Sequence, residues 1–593
     1  YRQLAGEIEV DLKEVTPKNY KEAIQFDPDR WYPSMMEEMA MHVRAGTWEI
    51  VPKSSLLPSD NITGMTWTYT IKRSGRRKSR ACARGFSQRK NIDFFEVFSS
   101  TVTTDALRVG IALAAGNNRL MSVYDVKGAY LESELPKDER VFCEQAKGFE
   151  IRYSDDEDDK LIIEWFKSKG LEVPDLENGT EVLYAIRRSL YGLRSSSRQW
   201  NQCFTAWAVS KGFVVLKSDD CVFRLYRKAK EEDFPKNKQE DEASPEPDVD
   251  VSDLMIDIEL YLYVDDAFVT FGNEESRRFF KKIFHERWDA SEGTGGDARA
   301  MLGMDITPCD DGTKILLSQT GMIEDIAEKF DVKTGKDWKS PMAKEFDGSY
   351  DEDGGDLDQD EHPYKSLIGS LLYVVMHSRP DCAVSMSMLC SAMAKPQAKH
   401  WQAGLRLARY LYLTKDLGLS FTSNMSKKSL NKLSGMVDAS WCAEKGSRSR
   451  EAYLLKLNGA TVSFSSKKIS TICLSSAEAE TTAAVSCMKQ LLWLRMLMWE
   501  LDYPQVGSTE VGEDSKATID AASGNSQRKA SRYYQMRTAY LRSLVKTGII
   551  HLSYVNTTEQ TADALSKNLN PPEFMRHQPQ ILGKQPIKKD EEN

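Results

Sequence analysis

The chain has 593 residues, 41% of them hydrophobic and 28% charged, with a formal net charge of −9. That length corresponds to about three or four soluble domains, and no apolar run approaches the roughly 18 residues a membrane span needs. The acidic total argues against a generic nucleic-acid binder, and ten cysteines without CxxC pairs read as reduced intracellular thiols rather than a disulfide scaffold or zinc site.

The chain opens with Tyr1-Arg-Gln-Leu-Ala, without Met or a signal-peptide pattern. This is expected of a piece of a longer polypeptide or an incomplete reading frame. Residues 1–30 are polar and expected to be peripheral. A helix is predicted from Trp31, then strands at Thr47-Trp-Glu-Ile-Val and Thr66-Trp-Thr-Tyr-Thr-Ile-Lys. Lys72 to Lys90 carries many cations and no acid. It reads either as a solvated basic hairpin or as a surface for phosphates. Thr103 to Ala115 has the pattern of an amphipathic helix, and Leu120-Met-Ser-Val-Tyr-Asp125 that of a strand ending in an acid. A carboxylate there is costly unless paired or on a metal.

Asp155 to Asp159 reads as a solvated acidic insertion. Ser189 to Trp200 mixes a glycine, cations and aromatics, either as a helix start or as a surface for a base pair or template strand. Residues 228–257 form a low-complexity acidic insertion. Next comes Tyr261-Leu-Tyr-Val-Asp265-Asp266-Ala-Phe-Val. Two acids interrupt an apolar, β-branched run, as at the tip of a buried hairpin. By itself an Asp-Asp pair is an ordinary solvated turn; here Asp125 is the natural third partner. Further on, a helix is expected over 274–288, a hairpin around Asp310-Asp-Gly-Thr, an acidic linker over 343–362, and helices from Tyr364 to Leu413.

These residues together resemble the polymerase end of a copia-type long-terminal-repeat retrotransposon Pol polyprotein, over roughly residues 30–570. The marks are Arg84-Gly-Phe-Ser-Gln, Asp125-Val-Lys-Gly-Ala-Tyr-Leu, Ser189-Leu-Tyr-Gly-Leu, Arg198-Gln-Trp, Tyr263-Val-Asp-Asp, Leu302-Gly-Met-Asp-Ile and Ser378-Arg-Pro-Asp. The resemblance implies an α+β, multidomain chain: a right-hand polymerase with fingers, palm and thumb, a connecting helical region, and a ribonuclease H-like α/β domain. It also implies an RNA-directed DNA polymerase working on an RNA template, a DNA primer, dNTPs and RNA–DNA hybrids. Integrase and capsid parts would lie elsewhere in the polyprotein. No membrane is expected, and the setting would be a cytoplasmic virus-like particle, with the nucleus as the alternative.

Nucleotide addition is an in-line phosphoryl transfer, in which two Mg2+ ions about 3.5–4 Å apart stabilise the attacking and leaving oxygens. Mg2+, with Mn2+ as the alternative, takes hard oxygen ligands. The resemblance assigns Asp125 and Asp265 as bridging ligands, Asp266 as support, and the Val126 carbonyl as a further ligand. It makes Tyr130 the residue that rejects a 2′ hydroxyl, and puts Tyr191 and Gly192 beside the nascent base pair. Lys78, Arg80 and Arg84 are candidates for the triphosphate. Ser197 stands where the family usually has proline.

In the last third, Leu433 to Asp438 is a strand ending in an acid, and Asn458-Gly459 is a hairpin turn. A helix follows from Ser475 to about Glu500, and further strands end at Asp514 and run from Ile549. Thr561-Ala-Asp563-Ala-Leu-Ser-Lys opens a last helix. This is the ribonuclease H order, and the family's four acids fall on Asp438, Glu480, Asp514 and Asp563. Ser475-x-x-Glu478 has capping-box spacing. Glu480 points about 200° away from Glu478 and matches the family position better. Histidines common in the family are replaced by Tyr533 and Ala539, among Arg528, Lys529, Arg532 and Arg537. The expected partition is a peripheral segment 1–30, a reverse transcriptase 31–342, a linker and connection 343–430, a ribonuclease H-like domain 431–570 and a disordered tail 571–593. The rival reading is an inactive or host-adopted remnant that binds hybrids without catalysis.

Overall fold

A computed structural model describes residues 15–72, 75–91, 93–136, 138–234, 253–293, 299–309, 313–333, 339–423, 425–444, 447–524 and 534–583. The core of the acidic insertion, the turn at 310–312, and Arg528, Lys529, Arg532 and Tyr533 lie outside these residues. The chain packs as two units: Tyr1–Thr101 with Val126–Phe213, and Val102–Asp125 with Val214–Asn593. No described helix is long and apolar enough to cross a membrane, and all ten cysteines are free.

In the first unit, helices Tyr20–Phe26 and Pro28–Ala45 pack on two small sheets. One orders the strands Trp48–Pro52, Val182–Ile186, Val141–Cys143 and Ile62–Thr63; the other is the hairpin Met65–Ile71/Arg77–Ala83. Order therefore begins before residue 30, because Ala23 and Asp27 are buried. Asp27 also accounts for one of the predicted surface cations. Arg77 is buried, 3.8 Å from the Asp27 carboxylate, with its guanidinium over the Trp31 ring. Arg77 is thus a core residue, not part of a phosphate surface. The acids at 155–159 do not form a loop: Glu157–Ser168 is a helix, and Asp156 caps it by accepting from the Asp158 amide at 2.8 Å. Acids in a first turn complement the helix dipole.

In the second unit, a six-stranded sheet orders Ala290–Gly293, Leu120–Val126, Asp266–Phe271, Met255–Tyr263, Val222–Lys228 and Val214–Val215. A five-stranded sheet orders Ala460–Lys468, Arg448–Leu457, Leu433–Glu444, Thr509–Glu513 and Ile550–Tyr554. Its first three strands are antiparallel and the last two join in parallel. Helices Tyr364–His377, Ala383–Ser391 and Ala398–Leu413 share a core with Leu454 and Phe464 of this sheet. The Ser378-Arg-Pro-Asp motif stitches that core. Arg379 and Asp381 are fully buried and paired through two hydrogen bonds of 2.9 and 2.8 Å, and Tyr410 donates to the same carboxylate.

The helix Thr104–Gly116 lies between the two sheets. Its sequence suggests one apolar face, yet every residue from Ala106 to Gly116 is buried. It touches the strands Met255–Tyr263 and Asp266–Phe271 as well as Ala460–Lys468. A Cβ at Gly110 would meet the Tyr261 ring at 2.5 Å, so only glycine lets the helix come this close to that strand. The Asn458 side chain, in the predicted Asn-Gly turn, donates to the Ala112 carbonyl at 3.1 Å. Arg108 reaches across, donating to Asp105 at 2.9 Å and to the carbonyls of Met376, His377 and Val462. Ser463 and Gln490 donate to the other Asp105 oxygen.

The chain end also departs from expectation. Pro571–Ile581 is a helix, not a disordered tail, with Phe574, His577 and Ile581 buried. Their three- and four-residue spacing is a helical stripe facing the core.

Truncating a buried charge pair costs about 3 kcal/mol or more. Arg108→Ala should therefore lower the unfolding midpoint in urea and reduce hydrogen-exchange protection in both Met255–Tyr263 and Ala460–Lys468. Loss of protection in one sheet alone would show that this helix does not couple them.

Candidate functional site

The acids singled out at the hairpin lie together in the second unit. Tyr263 pairs with Asp266 across a two-residue turn, Val264-Asp265, and Asp266 pairs with Asp125 on the next strand. Val264 has φ +54°, a conformation that costs a β-branched residue about 1–3 kcal/mol. The paired strands on both sides hold it there. Asp125 is exposed, while Asp265 and Asp266 are half-buried. Burial, then Asp265 and Asp125, push the Asp266 carboxyl up to about 7. Three mutually repelling carboxylates at an accessible strand end are a donor set suited to a hard divalent cation.

A contact not read from the sequence supports this site. Leu302 and Gly303 both have positive φ and join the strands Arg299–Met301 and Met304–Cys309. The Leu302 amide points at the Asp266 carboxylate from 3.5 Å, and the Tyr373 hydroxyl donates to the Leu302 carbonyl at 2.8 Å. Two residues of the left-handed region in a row make a tight hairpin. The Leu302-Gly-Met-Asp-Ile motif stood out in the sequence, but nothing local marked its turn or tied it to Asp266.

The second acidic group lies where the parallel pairing of Leu433–Glu444 with Thr509–Glu513 runs out; Asp438 does not end its strand as expected, because antiparallel pairing with Arg448–Leu457 carries the strand on to Glu444. Asp438 is on Leu433–Glu444, Asp514 directly follows Thr509–Glu513, and Glu480 is one turn into the helix Ser476–Glu500. One oxygen from each of Asp438, Glu480 and Asp514 lies within 4.8 Å of the others. Glu478 instead caps the helix start. It accepts from the Leu474 amide at 2.9 Å, while its own amide donates to Ser475. Asp563 begins the turn Asp563–Ser566, and the Ser566 hydroxyl donates to Asp438. Burial and then Asp563 raise Asp438; burial and then Glu513 raise Glu480.

Glu513 was not singled out in the sequence. It is fully buried, one of its oxygens has no hydrogen-bond partner, and the other accepts from Ser515. Its signal was present: Thr509, Val511 and Glu513 share one face by strand alternation, and all three are buried. The unpartnered, buried oxygens of Glu480 and Glu513 fit a site that takes a cation. A third tight group, Asp219, Asp220 and Cys221, does not carry the same reading. Asp219 is a turn cap that accepts from the amides of Thr103 and Cys221.

The remaining candidates belong to the first unit. Lys78 and Arg80 share the half-exposed face of Arg77–Ala83, and Arg84 is exposed just beyond it. The Arg80 guanidinium lies 5.0 Å from the Tyr191 ring centroid, and Tyr130 packs edge-on against the same ring. Ser197 has a visible role: its hydroxyl bonds the Tyr130 hydroxyl at 3.0 Å. Gly192 has φ +90°, and a Cβ there would strike the Ala83 carbonyl. Two separate sequence motifs thus meet backbone to backbone: the Ala83 amide donates to the Tyr191 carbonyl, and Arg194 to the Gly85 carbonyl. Beside them is a groove of about 740 Å³ lined by Phe94, Phe95, Phe98, Lys90, Arg194 and Arg198, among others. Phe98 is 76% exposed. Aromatic faces alternating with cations suit the stacked bases and phosphates of an unpaired strand.

Residues 46–167 match the sequence model of the reverse transcriptase (RNA-dependent DNA polymerase) family. The chain is 27% identical over 564 residues to the retrovirus-related Pol polyprotein from transposon TNT 1-94 of Nicotiana tabacum, covering 93% of this chain and 38% of that protein. It is 25% identical over 548 residues to the Pol polyprotein from transposon RE2 of Arabidopsis thaliana, covering 91% and 33%. With the transposon Ty1-DR5 Gag-Pol polyprotein of Saccharomyces cerevisiae the identity is 23% over 574 residues, covering 93% and 29%. The chain thus spans about a third of the length of these relatives. Among solved structures, it resembles a foamy viral protease-reverse transcriptase in complex with double-stranded DNA, with TM-score 0.46, 11% identity, and 88% and 69% of the two chains covered. The reverse transcriptase match thus lies in the first third of the chain, and the Pol polyproteins of these transposons align with most of it.

Asp266 is held above its ordinary 3.8, so the folded chain loses stability as pH rises from about 4 through about 7. In EDTA, Asp266→Asn should melt higher than the parent at pH 8 and equally near pH 4. A melting difference that does not change with pH would refute the assigned repulsion.

Proposed function

We propose that this chain, homologous over most of its length to copia-type Pol polyproteins, is an RNA-directed DNA polymerase that also cleaves the RNA strand of RNA–DNA hybrids. The observation carrying the polymerase reading is the strand register that sets Asp125 opposite Asp266, with Asp265 in the turn between paired strands. Asp125, Asp265 and Asp266, with the Val126 carbonyl, would hold Mg2+ at one site, and Asp438, Glu480, Asp514 and Asp563 at the other. When bound, the ions supply positive charge to the attacking and leaving oxygens of the phosphoryl transfer.

The chain's own residues do the rest. The strained Val264 turn fixes Asp265 relative to Asp266, so that the carboxylates need little reorganisation before they bind. Lys78, Arg80 and Arg84 offer their charge to an incoming triphosphate, and Tyr191, braced by Arg80 and Tyr130, offers a flat face to a base. Tyr130, its hydroxyl tethered by Ser197, would limit room at the sugar and favour dNTPs. The aromatic and cationic groove of the first unit would take the unpaired RNA template. In the nuclease reaction, the buried carboxylates would activate a water against the RNA phosphodiester. The segment 431–570 would be its domain, joined by 343–430 to the polymerase part.

The two activities should separate by mutation. Asp265→Asn should reduce RNA-templated primer extension about a hundredfold or more and spare hybrid cleavage, while Asp438→Asn should do the reverse. Primer extension that survives Asp265→Asn would sink the polymerase assignment of this site.

A further inference from the structure

The second acidic group has a resident cation. The Lys567 ammonium lies 2.9 Å from Asp563, one turn along the chain, and Asp438 and Asp514 are close enough to feel its charge. Among the described residues, it is the cation paired with any of the five acids Asp438, Glu480, Glu513, Asp514 and Asp563. The two partners differ in freedom. The Asp563 side chain is 9% exposed, whereas that of Lys567 is 44% exposed. Asp438, Glu480 and Asp514 gather within 4.8 Å without Asp563. Three acids therefore form the tightest group, and Asp563, whose charge reaches Asp438, is the one paired with the lysine.

We propose that Lys567 competes with a divalent cation for Asp563. The inference rests on the ribonuclease H reading above. A half-exposed ammonium on a flexible stem can leave a buried carboxylate when a better anion arrives. The phosphodiester backbone of a hybrid is such an anion. Asp563 then becomes free to act as a ligand only when substrate is in place. This couples loading of the fourth carboxylate to hybrid binding and makes Lys567 a positioning residue.

The test is Mn2+ binding to the full chain without nucleic acid, followed by electron paramagnetic resonance; the share lost in Asp438→Asn belongs to this site. One nearby ammonium is worth about a tenfold change in affinity. Lys567→Met should bind Mn2+ about tenfold more tightly at this site, and Lys567→Arg should keep the parental affinity. Lys567→Gln, with thermal melting as the folding check, is expected to tighten binding as Lys567→Met does. Affinity in Lys567→Met and Lys567→Gln that is unchanged or weaker would overturn the proposal. A parent whose Mn2+ binding is insensitive to Asp438→Asn would instead overturn the ribonuclease H reading on which it rests.

Discussion

The second unit depends on a helix with no solvent side. Thr104–Gly116 packs on the strands that carry the Asp265-Asp266 hairpin and on the sheet that carries Asp438. An α-helix buried all round must satisfy its polar side chains internally. Arg108 does so by binding one carboxylate and three carbonyls from distant parts of the chain. The arrangement leaves little freedom: Gly110 has no room for a methyl group, and Asn458 needs the Ala112 carbonyl. Both acidic sites therefore take their orientation from one element.

The two sites relieve clustered negative charge differently. At the hairpin, repulsion is relieved by exposure: Asp125 faces solvent, while burial and its two neighbouring acids raise Asp266. At the second group, Asp438, Glu480 and Glu513 are buried, and burial together with neighbouring acids raises all three. Their relief comes from hydrogen-bond donors, the Ser566 hydroxyl on Asp438 and the Ser515 amide on Glu513, and from one lysine. A site of the first kind leaves room for a large ligand. A site of the second kind suits a small nucleophile such as water.

Much of this was legible in the sequence because the signals were local. The Asn458-Gly459 turn, the capping spacing of Glu478 and the strand-end positions of Asp125 and Asp514 are all written within a few residues, whereas the strand of Asp438 runs on to Glu444. What escaped needed partners far along the chain. Arg77 looked like a surface cation because Asp27 and Trp31 lie some way upstream. The acids at 155–159 looked like a loop because charge hid the helical pattern behind them. The last helix was missed because Pro571-Pro572 and a polar composition outweighed the spacing of Phe574 and Ile581. Ser197 looked like a loss because its partner, the Tyr130 hydroxyl, lies in a separate motif.

The buried helix also bears on how the chain is made. Arg108 meets Val462 across 354 positions, and Asp105 meets Gln490 across 385. A ribosome would finish the helix long before either of its flanking sheets exists. Until then a nearly uncharged stretch, Ala106 to Gly116, has nothing to cover it. Contacts this far apart in sequence fold slowly and leave apolar surface exposed to aggregation. The newly made chain should therefore lean on chaperones through most of its synthesis, and yield in a foreign host would depend more on translation speed than on the stability of the finished fold.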